Sequence, residues 1–239
     1  MSIFALGDLH LSFSADKSMH VFKGWDNYTQ RIKENWEKTV GPDDTVVLVG
    51  DISWGMSEEE CLEDFRFIDS LPGKKIILKG NHDYWFNTKS KAESFWQKNG
   101  FSTLYMLHNN FYEVEGVAVC GTRGWIFESS DVFTQNDKKI IMREAARLET
   151  SLKEAHKKGL RPIAFLHYPP VFSSSQAPEI IDVMKKYSVE KCFYGHIHAS
   201  GAAYAKNGLI DGIEYRLVSC DYTDFTPVLV STFKQNGNL

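Results

Sequence analysis

The stretch Ile76-Ile77-Leu78-Lys79-Gly80-Asn81-His82-Asp83 joins an apolar run to a cluster of polar side chains. A short run of branched apolar residues is typical of a buried strand, and here the polar residues follow directly at its carboxyl end. In open α/β sheets, ligands bind at the carboxyl ends of the strands. The stretch therefore predicts a strand that delivers Asn81, His82 and Asp83 to a binding site.

Four other apolar runs end in the same way. The polar segments that follow them are Asp8-Leu9-His10, Gly50-Asp51, Leu166-His167 and Gly195-His196-Ile197-His198. A single histidine in such a loop is more often a hydrogen-bonded structural residue than a ligand. Together with the first stretch, these segments hold five of the eight histidines and four Asp and Asn residues, and burying so many polar groups without partners is costly. The pattern favours a metal site at one sheet edge.

The residue types indicate what kind of metal site this is. The four cysteines are widely spaced and form no CxxC pair, which argues against a closed structural zinc site. A mixture of imidazole, carboxylate and amide ligands suits Mn²⁺, Fe²⁺/³⁺ or Zn²⁺ in a catalytic site with open positions. Seven candidate ligands among these nine polar residues are too many for one metal and suit two metals that share a bridging carboxylate. If the backbone is extended, the pairs Asp8/His10 and His196/His198 each point one way, toward one metal or two adjacent ones.

Length and composition bound the class of protein. A chain of 239 residues suits one large domain, so we expect a single domain over residues 1–239. Its net charge of −4 gives no electrostatic reason to expect nonspecific binding to nucleic acid. No apolar run is long enough to span a membrane, no signal peptide follows Met1, and the cysteines fit buried thiols. We therefore expect a cytoplasmic protein.

Strand-like and helix-like segments alternate along the chain. Besides the five strands above, we expect a hairpin over 111–121 and consecutive strands at 213–219 and 228–233. Helices are expected at about 26–39, from Ser57 to about 71, 88–99 and 138–158. Such βα units and hairpins predict one mixed sheet, or two packed sheets, with helices outside.

The five polar segments resemble the signature blocks of the calcineurin-like metallophosphoesterase superfamily. They occur in the order found in that family and extend from residue 8 to residue 198. The resemblance implies an α/β (α+β) fold of four layers, in which two mixed β-sheets pack as a sandwich with helices on both outer faces. The pattern looks closer to the bacterial phosphohydrolase and phosphodiesterase branches than to the protein phosphatases.

The resemblance also implies a role for each site residue. The first metal would be held by Asp8, His10 and His198, the second by Asn81, His167 and His196, and both by Asp51. His82 would be the catalytic histidine that protonates the leaving alkoxide or stabilises the transition state. Asp83 would be a catalytic residue that orients His82, or would instead cap the following helix.

The implied reaction is hydrolysis of a phosphoester at a dinuclear centre of Mn, Fe or Zn, with a metal-bound hydroxide as nucleophile. Serine/threonine protein phosphatases of the superfamily carry Gly-Asp-x-x-Asp-Arg-Gly and Gly-Asn-His-Glu. This chain has Gly50-Asp51-Ile52-Ser53-Trp54-Gly55 instead, and Asp83 ends its other block. Without the Asp-Arg pair, a small phosphoester, such as a diester or nucleotide, is a better candidate substrate than a phosphoprotein.

Other residues are candidates for substrate contacts. Arg123 follows a strand and could clamp a phosphate through two hydrogen bonds. Trp54 and Trp125 could form an apolar wall, although tryptophan is more often a core residue. The segment from Arg123 to Gln135 also carries Phe127 and Phe133, enough apolar surface to shield a compact pocket.

Two other functions fit the same motifs. A non-catalytic protein-binding scaffold would be expected to lose metal ligands or His82, and this chain retains them all. A metal-dependent nuclease would need a basic or aromatic-lined groove. The net charge of −4 and the lack of Lys/Arg clusters count against it. Nucleic acid is therefore not an expected partner, no membrane is expected, and the sequence does not define an oligomeric state.

Overall fold

The computed structural model describes residues 1–126 and 133–232. In these residues, strands β1 to β13 are Ser2–Leu6, Thr45–Leu48, Lys74–Ile77, Leu104–Met106, Phe111–Val114, Val117–Thr122, Arg161–Leu166, Val171–Phe172, Ser175–Gln176, Lys191–Tyr194, Gly208–Ile210, Ile213–Leu217 and Val228–Thr232. Helices α1 to α5 are Tyr28–Thr39, Leu62–Ser70, Lys89–Lys98, Gln135–Lys157 and Pro178–Lys186. Short 3-10 helices span Met19–Val21 and Ala199–Tyr204.

Two mixed sheets contain most of the strands. The first has the order β13-β1-β2-β3-β4, in which β13 is antiparallel to β1 and the other neighbours are parallel. The second has the order β11-β12-β10-β7-β6-β5, with parallel pairing from β12 to β6 and antiparallel pairing at both edges. Helices connect the parallel strands, as crossover connections require.

The two sheets pack face to face because their central strands are apolar on both sides. In β1, Ile3 and Ala5 pack toward the second sheet, whereas Phe4 and Leu6 pack among side chains of α1, α2 and α3. On the far side of the second sheet, strand residues such as Leu217 pack with α4 and α5. The layers are therefore helices, sheet, sheet and helices, which confirms the expected four-layer sandwich of mixed sheets.

Most expected elements are present, with shifted ends. Ser57 was expected to begin a helix, but α2 begins at Leu62. The Ser57 Oγ instead accepts a hydrogen bond from the Glu60 amide at 3.2 Å, so the capping signal is used in a separate turn before the helix. The expected helix start at residue 138 is also late, because Thr134 caps α4 in a capping box with Asp137.

Some predictions concern residues that the structure does not describe, and others can be compared with it directly. Phe127 and Phe233 lie outside the described residues, whereas Phe133 packs against the core between the second sheet and its helices. All four cysteines are buried free thiols, as expected. Within the described ranges, no helix is long and apolar enough to cross a membrane.

Candidate dinuclear metal centre

The predicted ligands meet because both sheets present the carboxyl ends of their parallel strands at one edge. Asp8 follows β1, Asp51 follows β2 and His167 follows β7. Backbone hydrogen bonds then join the loops: the Asp8 amide donates to the Gly50 carbonyl at 2.9 Å, and the Gly195 amide donates to the His167 carbonyl at 3.1 Å. At this edge, backbone hydrogen bonds thus join the short loops to one another.

Four of the predicted ligands have left-handed backbone conformations. The φ angles of Asp8, His10, Asp51 and His196 are 60°, 46°, 51° and 71°. Asp and His tolerate this region better than most residues, and strained backbone of this kind clusters at functional sites. The condition of extended backbone, under which Asp8 and His10 would point one way, is therefore not met, because both residues turn the chain.

Two adjacent groups of side chains offer metal-binding atoms. One contains Asp8, His10 and His198, and the other contains Asp51, His167 and His196, with the offered atoms of each group within 4.8 Å of one another. His196 and His198 thus serve different groups, which resolves the alternative that the sequence left open.

Distances within and between the groups are short. His10 Nε2 lies 3.4 Å from His198 Nε2 in the first group, and His167 Nε2 lies 3.2 Å from His196 Nδ1 in the second. Asn81 Oδ1 is 2.7 Å from His167 Nε2, which places the amide beside the second group. Asp51 Oδ2 is 3.4 Å from His167 Nε2 and 3.9 Å from His10 Nε2, so this carboxylate lies between the two groups.

Glycine is required where the loops pass the carboxylates. A Cβ at Gly80 would lie 2.1 Å from Asp51 Oδ1, and a Cβ at Gly195 would lie 2.5 Å from Asp8 Oδ2. Any side chain at these positions would displace a carboxylate. The glycines of the two sequence motifs are therefore part of the geometry of the site.

Burial and proximity perturb the ionisation of the carboxylates in the site. Burial raises the pKa of Asp51 to about 9, and repulsion by Asp83 and Asp8 contributes to this rise. Burial also acts to raise the pKa of Asp8, but attraction to His198, with a smaller contribution from His167, holds this pKa well below its usual value.

The imidazoles divide into two kinds. Burial lowers the pKa of His10 and of His196 to about 3, which leaves these rings neutral and able to donate a lone pair. Burial also acts to lower the pKa of His198, but attraction to Asp8 and a hydrogen bond to Asp221 outweigh it and raise the value to about 10.

The donor set fits metal ions. Imidazole nitrogens face one another across 3.2 and 3.4 Å beside buried carboxylate oxygens. Burial keeps the rings of His10 and His196 neutral, and it destabilises the negative charge of Asp51. A divalent cation in each group would accept the nitrogen lone pairs and neutralise the carboxylates. These residues are therefore suited to hold two metals.

Asp83 lies behind the candidate metal ligands. Its two carboxylate oxygens accept hydrogen bonds from the backbone amides of Asp51, Ile52 and Gly80 at 2.8, 2.8 and 2.7 Å. It was expected to orient His82 or to cap the next helix, but Thr88 caps that helix, and these backbone contacts are different from both. The carboxylate instead fixes the loops that carry Asp51 and Asn81.

His82 lies at the edge of the two groups. Its backbone amide donates to Asp51 Oδ1 at 2.8 Å, and its ring centroid is 5.9 Å from that of His10. Burial lowers the pKa of His82, and repulsion by His167 adds to this effect. Trp54 packs against both histidines, with ring centroids 4.5 Å from His82 and 4.8 Å from His10. The indole thus forms a wall beside the two imidazoles.

Arg123 and Trp125 lie on the other side of the candidate metal centre. The Arg123 guanidinium lies 4.4 Å from the centroid of a Trp125 ring and 3.6 Å from the Glu144 carboxylate. Trp125, Tyr168 and His196 line a cavity of about 400 Å³ whose walls include Phe172 and Ile197. Trp54 therefore borders the site at His10 and His82, and Trp125 borders it at His196.

Asp221 is a site residue that the sequence motifs did not predict. Its Oδ1 lies 2.8 Å from His198 Nδ1, and its Oδ2 accepts from the Ala199 amide at 2.9 Å. A carboxylate on the far nitrogen of a metal-binding histidine fixes the ring and increases its basicity. The signal was weaker here, because Asp221 follows a strand, β12, whose residues alternate between apolar and charged, and it lacks the histidine or asparagine neighbour that marked the other segments.

Asp221→Ala is expected to weaken metal binding at the first group by about 10- to 100-fold, because His198 would lose its orienting partner. Competition between the protein and a fluorescent chelator for Mn²⁺ measures this affinity. Asp182→Ala, at an exposed position on α5, is the matched control and should bind metal as the wild type does. Equal affinities in the two variants would contradict the orienting role.

Fold and site together define an α/β sandwich with a candidate dinuclear metal centre at the carboxyl ends of its strands. The model of the calcineurin-like phosphoesterase family matches residues 1–200, which include both groups of candidate ligands. The chain belongs to the calcineurin-like phosphoesterase family.

Similar proteins include two phage proteins and a bacterial enzyme. The Gene 66 protein of Mycobacterium phage L5 is 42% identical over 48 residues, which are 20% of this chain and 23% of that protein. The Gene 66 protein of Mycobacterium phage D29 is 29% identical over 82 residues, 34% of this chain and 40% of that protein. The matches thus span less than half the length of either relative.

A solved structure extends the likeness of the fold to the whole chain. The crystal structure of phosphopantetheinyl hydrolase (PptH) from Mycobacterium tuberculosis aligns with a TM-score of 0.55 and 12% sequence identity. The alignment covers 99% of this chain and 98% of that one. At this identity, the likeness concerns the fold alone.

Proposed function

We propose that this protein is a metal-dependent phosphoesterase that hydrolyses a small phosphoester at a dinuclear centre. The observation that carries the proposal is the pair of adjacent donor groups, Asp8/His10/His198 and Asp51/His167/His196, with Asp51 between them. Asn81 would complete the second group. The proposed metals are Mn, Fe or Zn, which mixed nitrogen and oxygen ligands suit.

The chain would contribute to catalysis by holding charges and by supplying a proton. When bound, two metal ions can bind phosphoryl oxygens and activate water for in-line attack. Asp83 would act as a positioning residue rather than a catalytic one, because its oxygens hold the backbone of the Asp51 loop. The glycines at 80 and 195 let the loops approach closely enough to place the carboxylates.

His82 would protonate the leaving oxygen. It lies beside His10 and Trp54, and its ring Nδ1 is buried without a hydrogen-bond partner among the described residues. A phosphoester bound nearby brings negative charge, which favours the protonated imidazole and offsets the effect of burial on its pKa. A histidine in this position is suited to general acid catalysis.

The surroundings of His82 favour a small substrate over a phosphoprotein. Trp54 stands where the protein phosphatases carry the Asp of their Asp-Arg pair, and its indole packs on His82. The cavity lined by Trp125 and Tyr168 borders His196 and offers an apolar site for an organic group of the substrate. An aromatic or acyl group attached to the phosphate fits such walls.

We therefore expect higher catalytic efficiency on bis(4-nitrophenyl) phosphate and small nucleotide diesters than on phosphotyrosine or phosphoserine peptides. A diester has fewer charges than a monoester dianion and needs less cationic support beyond the metals. Steady-state kinetics of the Mn²⁺-loaded protein on these substrates is the test. A tenfold preference for the phosphopeptides would overturn the substrate class, and turnover of none of them would favour a non-catalytic scaffold.

A further inference from the structure

A second cavity, of about 260 Å³, lies beside the candidate metal centre and has an unusual charge. Its lining includes Lys79 at the end of β3, Arg123 at the end of β6, and Arg143 and Arg147 on α4. The carboxylate among its lining residues is that of Glu144. Four cations around one carboxylate form a strongly positive cavity in a chain whose net charge is −4.

Glu144 does not neutralise this cavity. The residue is fully buried, and its Oε1 lies 2.6 Å from Arg147 Nη1. Its Oε2 accepts a hydrogen bond from Thr122 Oγ1 at 2.6 Å. Within the described ranges, Lys79 and Arg143 have no carboxylate within ion-pair distance. Their positive charges are therefore available to an anion in the cavity.

Arg123 adds an unsatisfied donor. Its Nε is buried and has no hydrogen-bond partner among the residues that the structure describes, while its Nη2 is 3.6 Å from Glu144 Oε1. A buried donor without an acceptor is costly. An anion with several oxygens in the cavity would supply acceptors, and a guanidinium binds two phosphate oxygens at once.

The cavity is fixed next to the second group of candidate metal ligands. The Arg123 carbonyl accepts hydrogen bonds from the His167 and Tyr168 amides at 3.2 and 2.8 Å, which ties the cavity wall to the loop of a ligand. Lys79 precedes Asn81 by two residues, so their Cα atoms are at most about 7 Å apart. The cavity wall and the second donor group are therefore carried by the same loops.

We propose that this cavity is a subsite for a second phosphate group, so that the substrate of the phosphoesterase carries two phosphates. One phosphate would react at the metals, and the other would bind Lys79, Arg123 and Arg143. This inference rests on the proposed function and narrows its substrate class. The second phosphate is either linked to the first as a diphosphate or attached elsewhere on the same molecule, and the chemistry of the cavity suits both.

Binding of inorganic pyrophosphate to the metal-free chain tests the subsite separately from catalysis. Isothermal titration calorimetry of chelator-treated wild type should show binding, because the cations do not depend on the metals. Arg143→Ala, at an exposed helix position, should weaken binding by about tenfold or more, the effect of losing one charged hydrogen bond. Lys153→Ala removes a cation from another exposed position on α4 and should leave binding unchanged.

Kinetics of the Mn²⁺-loaded protein then identify the source of the second phosphate. The two test substrates are a dinucleoside diphosphate and a nucleotide diester that carries a separate 3′-phosphate. The quantity compared is kcat/KM on the better of these two substrates, divided by kcat/KM on bis(4-nitrophenyl) phosphate. Arg143→Ala should lower this ratio by about tenfold. Lys153→Ala should leave the ratio unchanged.

Two results would overturn the subsite. The first is no binding of millimolar pyrophosphate to the wild type, and the second is equal binding by Arg143→Ala and the wild type. Either result leaves the proposed function standing if bis(4-nitrophenyl) phosphate, which has a single phosphate, is still hydrolysed. If the wild type binds pyrophosphate but does not hydrolyse bis(4-nitrophenyl) phosphate, the proposed function is contradicted instead.

Discussion

Removal of metal ions is expected to abolish hydrolysis of bis(4-nitrophenyl) phosphate, and addition of Mn²⁺ is expected to restore it. The reason is electrostatic as well as chemical. Asp8 and Asp51 are buried close together, and burial raises the pKa of Asp51 to about 9, with repulsion by Asp83 and Asp8 adding to the rise. The negative charge of Asp51 therefore lacks a sufficient counter-charge. Metal ions would supply that charge and the means to polarise the phosphate.

The same ions should stabilise the fold. A ligand that binds only the native state at 100 times its Kd adds about 2.7 kcal/mol to the free energy of unfolding. The melting temperature should therefore rise on addition of Mn²⁺. His196→Ala should lose activity together with bound metal, whereas His156→Ala, at an exposed position on α4, should keep both. Full activity in the presence of excess chelator would contradict the metal dependence.

His82→Ala is expected to lower kcat by a factor of about 10² to 10⁴ on a diester with an alkoxide leaving group, the range for loss of a general acid. The variant should retain its metals, because His82 belongs to neither donor group. Elemental analysis and steady-state kinetics on the same preparation separate the two effects. His156→Ala again serves as the matched histidine control.

The leaving group distinguishes proton donation from other roles of His82. Nitrophenolate departs without a proton, so the His82→Ala defect should be smaller on bis(4-nitrophenyl) phosphate than on the alkyl diester. A variant that lost metal as completely as His196→Ala does would show that His82 is a ligand. Equal defects on both substrates would point to transition-state stabilisation by charge.

The sequence predicted the position of the site because short-range patterns determined it. Each apolar run is long enough for one buried strand, and each is followed by Asp, Asn or His, so the polar groups had to meet at a common sheet edge. The face-to-face packing of two sheets did not follow from these patterns. Successive side chains of β1 point to opposite faces of the sheet, and both faces are apolar. Either a helix or a second sheet can cover an apolar face.

What the sequence did not predict depends on tertiary contacts. The sequence left open whether the backbone of the pair Asp8/His10 is extended, and hydrogen bonds between the loops hold both residues at positive φ. Asp83 looked like a partner of His82, yet its oxygens face the amides of a loop about 30 residues away in sequence, Asp51 to Ser53. Helix α5 was also missed, although Pro178 at its first turn and the buried Ile180, Ile181 and Met184 carry a helical pattern.

Metal content of the Mn²⁺-loaded, dialysed chain tests the central claim most directly. The two donor groups predict two metal ions per chain, bound tightly enough to survive dialysis and lost in parallel with activity when a chelator is added. Quantitative elemental analysis of the wild type, with His156→Ala as control, gives the number. A value near two supports the dinuclear phosphoesterase, and a chain that binds no transition metal after loading would contradict it.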